Sequence, residues 1–467
     1  MRLSGASIAS KTRGRILSGD ASSVLTGASI DSRSLKAGDL FFAITGAVHD
    51  GHRFVPAAVA AGAGALVVSD ASAVAGLGAN ILVVLVDDTT KALQDLAAAT
   101  RREDLTSVVA ITGSVGKTTT KELTRLLLDG TTPTHASPGN LNNHYGLPLA
   151  ILGVPTGVDS VVLELGISTP GEMDRLIEIA EPDFGLVTLI SAVHVGNFAS
   201  FDELCAEKMK LPRGSRHAFL NADDPEQVRR AAGVGSPITY FGASDLAAPG
   251  LRLLGIRSHG LLGSEVSVEE AGNRIELSCP LPGAHNARNL VAAAAVARGL
   301  GVEWDVIERQ ALRARPSKHR GEVHEIGGAT IVDDCYNANP AAMRAALELL
   351  MEVEPRGGRR IFVAGDMLEL GDVASTEHAL LGTFAASRVD LLLGVGPESR
   401  QTVDAARAAG LSAEHVDDAA AAGHWLVTTL RAGDVALVKG SRGIALDQAI
   451  DHLLAARGPA AANGRAK

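Results

Sequence analysis

Cysteine, aromatic rings and surplus positive charge are all scarce in this sequence. Three cysteines occur in 467 residues, Cys205, Cys279 and Cys335. They stand far apart without the spacing of metal ligands, which fits a reduced, cytoplasmic compartment. Phe, Trp and Tyr together make up only 3 % of the chain, while Ala and Gly are abundant and 21 % of residues are charged. That balance suits a soluble α/β protein with Ala-faced helices. The formal net charge of −10 argues against a general nucleic-acid surface or an anionic-membrane surface. An anionic substrate would have to be met by local basic groups. The N-terminus, MRLSGASIASKTRGRI, carries charge but no apolar core, so it does not read as a signal peptide. Phe54 to Val86 carries a single charged residue, Asp70, but Pro56 and Asn80 break the run. It reads as buried α/β structure, and no membrane insertion is expected. No internal repeat is visible.

What is present begins with an apolar run, Ser107 to Ile111, leading directly into TGSVGKTTTK, Thr112 to Lys121. A buried strand enters a Gly-bounded turn, and a helix opens at Lys117, Thr118 and Thr119. This is the physics of a phosphate loop. The backbone N–H groups of Gly113, Ser114, Val115 and Gly116 and the positive end of the helix dipole face an anion. Lys117 adds a point charge, and the Thr118 hydroxyl suits Mg²⁺. The loop implies use of a nucleoside triphosphate. It is shorter than the common pattern, with only Ser114 and Val115 between its glycines.

The length suggests about three domains. Residues 1–103 read as a small α/β unit with strands at Asp39–Ile44, Ala65–Val68 and Ile81–Val86. Its helices are Val55–Ala61 and Thr89–Arg101, ending in a polar join at Arg101 to Asp104. Residues 104–316 form a central unit around the phosphate loop. Strands at Val161–Leu163, Phe184–Ile190 and Ala218–Leu220 alternate with helices at Lys117–Leu128 and Glu172–Ala180, which implies a parallel sheet wound on both faces. Residues 245–280 look like hairpins at one edge, followed by an Ala-rich helix from Asn286 to Leu300. Residues 317–467 alternate again. Strands are expected at Thr330–Asp333, Ile361–Ala364, Leu391–Leu393 and Val435–Val438, with helices at Pro340–Met351, Ser399–Ala409 and Ile444–Leu454. This unit is Rossmann-like but lacks the G-x-G-x-x-G fingerprint of dinucleotide binders. The tail from Gly458 onward is expected to fray.

In open parallel sheets, ligands bind beyond the carboxyl ends of the strands. In the central unit Glu164, His194 and Lys208 fall at or just beyond such ends. A carboxylate and an imidazole near Thr118 suit Mg²⁺ held on a triphosphate. Taken alone, His194 also reads as a loop histidine. Gly139 to His144 (GNLNNH) reads as a polar turn. In the C-terminal unit Asp333 and Asp334 precede Cys335-Tyr336-Asn337-Ala338-Asn339 and a helix opened by Pro340. An N-cap with Pro in the first turn accounts for part of this. Lys439-Gly440-Ser441-Arg442 supplies two cations at the same sheet end.

Together these segments resemble the Mur ligase family, of the MurF type that adds D-alanyl-D-alanine. The matching stretches are DSR at Asp31, GDLFFAITG at Gly38, DGHRF at Asp50, TGSVGKTTTKE, GNLNN, ELGIS at Glu164 and PGAHNARN at Pro282. In the third unit they are DDCYNANP, GDMLELG at Gly365 and VKGSR at Val438. They run in order over nearly the whole chain. The phosphate loop and the HN motif are shared by all Mur ligases and by folylpolyglutamate synthetases; the remaining combination is more specific.

The resemblance implies a reaction. ATP phosphorylates the terminal carboxylate of UDP-N-acetylmuramoyl-tripeptide, and the amine of D-alanyl-D-alanine attacks the acyl phosphate. It also implies roles. Lys117 and the loop hold phosphates, and Thr118, Glu164 and His194 hold Mg²⁺. Lys208 matches a lysine that carries a carbamate in relatives. Asn289 and Arg320 contact the nucleotide and Asp334 its ribose. Ser32, Arg33, Gly46, Asp50, Gly51 and His52 hold the UDP-sugar end. Asn142, Asn143, Asn337, Asn339, Lys439, Ser441 and Arg442 serve the substrates. A monomer is expected. Three positions depart from the family pattern: Met209-Lys210 replaces Gly-Glu, His319 replaces Gly, and His144 follows Asn143. Two readings remain as alternatives, a neighbouring Mur or folylpolyglutamate-type ligase and a phosphate-loop NTPase without peptide chemistry.

Overall fold

The computed structural model describes residues 3–46, 48–78, 80–191 and 197–458. His194 lies outside the described residues, as does the tail after Gly458. The protein is mixed α/β, built on three main sheets, each formed by a different stretch of the chain.

The first sheet has five strands in the order Arg15–Ser18, Leu82–Leu85, Ala65–Val68, Leu40–Phe42, Ala28–Ser29. All neighbours are parallel except the first pair. Its long helix, Thr89–Asp104, starts where the Asp88 carboxylate accepts the N–H groups of Thr90 and Lys91 at 2.7 and 2.9 Å. That cap satisfies two of the donors a helix start leaves unpaired. The polar join expected at Arg101 to Asp104 is instead the last turn of this helix. Arg101 is buried there, bonded to Ala180 O, Leu105 O and Asp183. The apolar face of the helix explains the difference. Leu93 and Leu96 share one core with Val67 of the first sheet and with Val108, Leu147 and Val161 of the second. Removing Arg101 would leave Asp183 without its buried partner, a loss of about 3–5 kcal/mol.

The central sheet has nine strands. Their order is Asn273–Cys279, Ser264–Glu270, Leu251–Ser258, Ile238–Gly242, His217–Asn221, Phe184–Val187, Ser107–Thr112, Ser160–Glu164, Thr134–Ala136. The last seven run parallel, and the first three form the antiparallel edge expected from residues 245–280. Ser160–Glu164 is buried along its length, as a strand covered on both faces must be. The strand expected to reach Ile190 stops at Val187. Beyond it Leu189 turns to the phosphate loop, accepting from Ser114 N at 2.7 Å.

The third sheet has six strands in the order Glu322–Ile326, Ala329–Asp333, Val435–Lys439, Arg360–Gly365, Leu391–Val395, Ala413–Val416. Only the first pair is antiparallel. Register places Asp333 beside Val438, so Asp334 and Lys439 emerge together at the carboxyl end. The last helix begins at Asp447 rather than Ile444. Arg442–Ile444 forms a tight turn that ends with Ala445 at a left-handed φ of 55°. The central hairpin also touches this unit: Ser258 hydrogen-bonds Glu352, and Leu261 packs against the third core.

Candidate active site

The phosphate loop leaves the strand Ser107–Thr112 through two glycines in positive φ, Gly113 at 146° and Gly116 at 83°. Close approach also demands glycine. A Cβ at Gly113 would stand 2.0 Å from the Thr188 hydroxyl, and one at Gly116 would stand 2.5 Å from Asn289 Oδ1. The Thr188 hydroxyl donates to Val115 O at 2.6 Å, and Ser114 Oγ donates to Ser191 O at 2.9 Å. The short loop is therefore braced by the neighbouring strand's extension, and the helix Lys117–Leu128 points its N-terminus at the site.

Lys117 folds over this loop, donating from Nζ to Gly113 O at 2.9 Å. Lys208, the last residue of the helix Phe201–Lys208, donates to the same carbonyl at 3.1 Å and is buried. Burial, reinforced by the charge of Lys117, pushes the Lys208 amine well below the ordinary lysine range. Burial also lowers Lys117, against the opposing pull of Glu164. At the departure from the family pattern, Met209 joins a local core and Lys210 pairs with Glu207 at 2.6 Å and Asp174 at 2.7 Å. Lys210 is thus committed to other carboxylates and does not compete at Gly113.

Thr118 Oγ1 donates to Glu164 Oε2 at 2.7 Å, and Asn142 Nδ2 donates to Glu164 Oε1 at 2.8 Å. Glu164 is buried, and its N–H is held by Ser137 Oγ. A hydroxyl and a carboxylate side by side at a phosphate-binding helix start are hard oxygen donors of the kind Mg²⁺ takes, so the residues present fit that ion. Asn143 Oδ1 accepts from Gly146 N at 2.8 Å, which shapes the turn. His144 lies against Tyr145 with the two rings tilted by 51°, and stands outside the cavity wall.

The C-terminal sheet faces this site. Lys439 Nζ is 2.7 Å from Asp334 Oδ2 and 3.0 Å from Asn337 O. The Arg320 guanidinium lies over the Tyr336 ring at 3.9 Å, with Arg442 at 6.0 Å from the same ring. Ser441 Oγ accepts from Leu368 N at 2.9 Å. Asn339 caps the helix Pro340–Met351 through Ala342 N. His319, where the family pattern has glycine, keeps the left-handed conformation glycine favours, at φ 60°.

One cavity of about 760 Å³ joins the two sheet ends. From the central unit it collects Ser114 to Thr119, Glu164, Lys208, Asn142, Asn143 and Asn289. From the C-terminal unit it collects Arg320, Asp334, Asn337, Asn339, Lys439, Ser441 and Arg442. Sequence reading did not assign Asn221, Asp223, His285, Arg288 or Tyr336, which also line it. His285 and Arg288 fall in the HNARN stretch, and the PGAHNARN match was the signal that pointed there.

Ser32, Arg33, Gly46, Asp50, Gly51 and His52 do not line this cavity. Arg33 is exposed and pairs with Asp31 at 2.7 Å, which holds that carboxyl down to about 2. His52 is buried with both ring nitrogens engaged, Nδ1 by Asp50 at 2.7 Å and Nε2 by Ser69 N at 3.0 Å. Gly51 has no room for a Cβ, which would lie 2.5 Å from Ile44 N. In this structure Asp50-Gly51-His52 builds a rigid turn.

Three family models match in sequence order. They are the Mur ligase family catalytic domain over residues 24–101, the Mur ligase middle domain over 111–297 and the Mur ligase glutamate ligase domain over 319–442. A UDP-N-acetylmuramoyl-tripeptide–D-alanyl-D-alanine ligase of Synechocystis sp. is 34 % identical over 91 % of this chain and 91 % of its own length. The enzyme of the same name from Escherichia coli is 33 % identical over 91 % and 92 %. Among solved structures, MurF from Acinetobacter baumannii matches with a TM-score of 0.85 at 28 % identity, covering 97 % of this chain and 99 % of that one. MurF from Thermotoga maritima in complex with ADP matches with a TM-score of 0.78 at 27 % identity, covering 92 % and 97 %. With a phosphate loop, a carboxylate–hydroxyl pair and a facing cationic sheet end in one cleft, and with relatives matched over 91 % of the chain, this protein belongs to the Mur ligase family.

Proposed function

We propose that the protein is an ATP-dependent, ADP-forming amide ligase that joins D-alanyl-D-alanine to UDP-N-acetylmuramoyl-tripeptide in peptidoglycan precursor synthesis. The observation that carries this reading is the single cavity in which the phosphate loop, Glu164 and Lys208 face Arg320, Lys439 and Arg442. A carboxylate is a poor electrophile at neutral pH. The substrate carboxylate oxygen attacks the γ-phosphorus, the bond to ADP breaks, and an acyl phosphate forms. The dipeptide amine then attacks the acyl carbon, loses a proton, and phosphate leaves. Both steps bring anions together, so preorganised cations supply much of the rate.

Lys117 and the loop N–H groups serve the β- and γ-phosphates, with Asn289 and Arg320 on the nucleotide and Asp334 on its ribose. Thr118, Glu164 and, by resemblance, His194 would hold Mg²⁺, which neutralises phosphate charge. The low proton affinity of Lys208 supports its carrying a carbamate, since only a neutral amine adds CO₂. The carbamate anion would then face the metal and phosphates. Asn142, Asn143, Asn337, Asn339, Lys439, Ser441 and Arg442 serve the two peptides. The turn at Asp50-Gly51-His52, with Ser32, Arg33 and Gly46, serves the UDP-sugar end. Residues 1–103, 104–316 and 317–467 divide these tasks. The free buried cysteines support a cytoplasmic site of action. Among the described residues no helix is long and apolar enough to cross a membrane.

Phosphate release tests the reading. It should require ATP, the UDP-muramoyl-tripeptide and D-alanyl-D-alanine together. Release that ignores both peptides would instead favour a nucleotide switch.

A further inference from the structure

Five side chains that the ligase reading leaves unused converge at the edge of the C-terminal sheet. The strands Glu322–Ile326 and Ala329–Asp333 pair antiparallel with Glu322 opposite Asp333. Side chains alternate along a strand, so Glu322, His324 and Asp333 share one face. Asp333 is 1 % exposed. Its Oδ2 lies 2.7 Å from His319 Nδ1 and 3.7 Å from His324 Nε2, and its Oδ1 lies 3.0 Å from Cys335 Sγ. The donor atoms of His319, Asp333 and Cys335 all fall within 4.8 Å of one another, as do those of Glu322, His324 and Asp333.

Two further observations ask for a ligand here. His324 Nε2 is buried and, among the described residues, has no hydrogen-bond partner. Burying such an atom without a bond costs about 1–3 kcal/mol. The two carboxylates, Asp333 and Glu322, also have no Lys or Arg ion pair among the described residues. The cluster therefore carries negative charge met by the two imidazoles, the Cys335 thiol and the N–H groups of His319 and Cys335, without a Lys or Arg among the described residues.

We propose that His319, Asp333 and Cys335 form a binding site for a divalent transition-metal ion of the zinc class, with His324, which shares only Asp333 with this triple, turning in as fourth ligand. Two imidazoles, a thiolate and a carboxylate are a borderline-soft set that selects zinc-like ions over Mg²⁺. Tetrahedral bonds of about 2.0 Å to nitrogen and about 2.3 Å to sulfur set ligand atoms roughly 3.3–3.8 Å apart, so the 2.7 and 3.0 Å hydrogen bonds of Asp333 must open to admit an ion. On binding, the Cys335 thiol releases its proton to solvent. His319 keeps one proton by moving it from Nδ1 to Nε2, so Nδ1 is free to ligate. The site is separate from Thr118 and Glu164. It matters to the cavity because Arg320 follows His319 and Asp334 follows Asp333. An ion joining His319 to Asp333 ties together the two backbone segments that present those residues.

The test is a Co²⁺ titration of the full-length protein, stripped of metal by a chelator, without nucleotide. Absorbance should show one equivalent of Co²⁺ with a thiolate-to-cobalt charge-transfer band. Zn²⁺ should displace it and excess Mg²⁺ should not. Cys335→Ser should lose the band. His319→Gly, which suits the left-handed backbone, should weaken Co²⁺ at least about tenfold. A wild-type protein that shows no charge-transfer band at excess Co²⁺ would overturn the proposal, as would a band that survives in Cys335→Ser.

Discussion

Lys117 and Lys208 donate to the same acceptor, the carbonyl oxygen of Gly113, at 2.9 and 3.1 Å. Two ammonium groups so close in a buried site would repel strongly. Burial lowers both amines from the ordinary lysine range, most of all at Lys208, where the charge of Lys117 adds to it. One lysine is thereby poised for phosphate and the other for covalent modification.

This pair makes stability depend on pH. Both amines have folded-state values depressed below the ordinary 10.5. Between the depressed values and 10.5 the unfolded chain binds more protons than the folded one. Stability without nucleotide should therefore rise with pH through that window and level off above it. Urea unfolding of the wild type and of Lys208→Met at a series of alkaline pH values checks this. The variant should show the shallower slope. Equal slopes would remove Lys208 from the account.

Lys117→Ala removes a charge facing the phosphates and no core packing. Turnover should fall by about 10²–10³-fold, while circular dichroism stays unchanged. Melting temperature should hold or rise, since a desolvated amine has gone. Near-native turnover at saturating ATP would contradict the role given to this residue.

Lys208→Ala should be nearly inactive and partly rescued by a short carboxylate such as acetate, which replaces the carbamate anion. Wild-type activity should also depend on bicarbonate, more so at low pH, where more of the amine is protonated and CO₂ is lost. The check is a rate measurement in degassed buffer with and without added bicarbonate. An active Lys208→Ala protein would assign the lysine to structure alone.

The nucleotide must be reached by both sheet ends, so closure should occur about a hinge near Arg315, Pro316 and Ser317. Small-angle scattering should show a smaller radius of gyration with ATP and the UDP-muramoyl-tripeptide than without ligands. Identical profiles would count against the hinge.

Much of this is legible in the sequence, for physical reasons. Buried parallel strands such as Val161–Leu163 are short apolar runs, and Gly113 and Gly116 mark a turn that no other residue fits. Other elements hid. Glu322–Ile326 reads EVHEI, an edge strand whose polar residues mask it. Ala374–Ala386 and Ala419–Thr429 are helices so rich in small residues that no apolar stripe stands out. The polar letters of Arg101 to Asp104 suggested a linker because the ion pair of Arg101 with Asp183 joins residues far apart in sequence. Glu164 was found by its place at a strand end. The inward engagement of His52 could not be read from DGH, because its partner at Ser69 lies on another strand end.

The central claim is that the substrate carboxylate is activated as an acyl phosphate in this cavity. It is tested most directly with UDP-N-acetylmuramoyl-tripeptide labelled with ¹⁸O in its terminal carboxylate, turned over with ATP and D-alanyl-D-alanine. Mass spectrometry of the released phosphate should find one ¹⁸O per amide formed, because the carboxylate oxygen that attacks phosphorus leaves with it. Phosphate free of label, with its new oxygen drawn from water, would contradict the account.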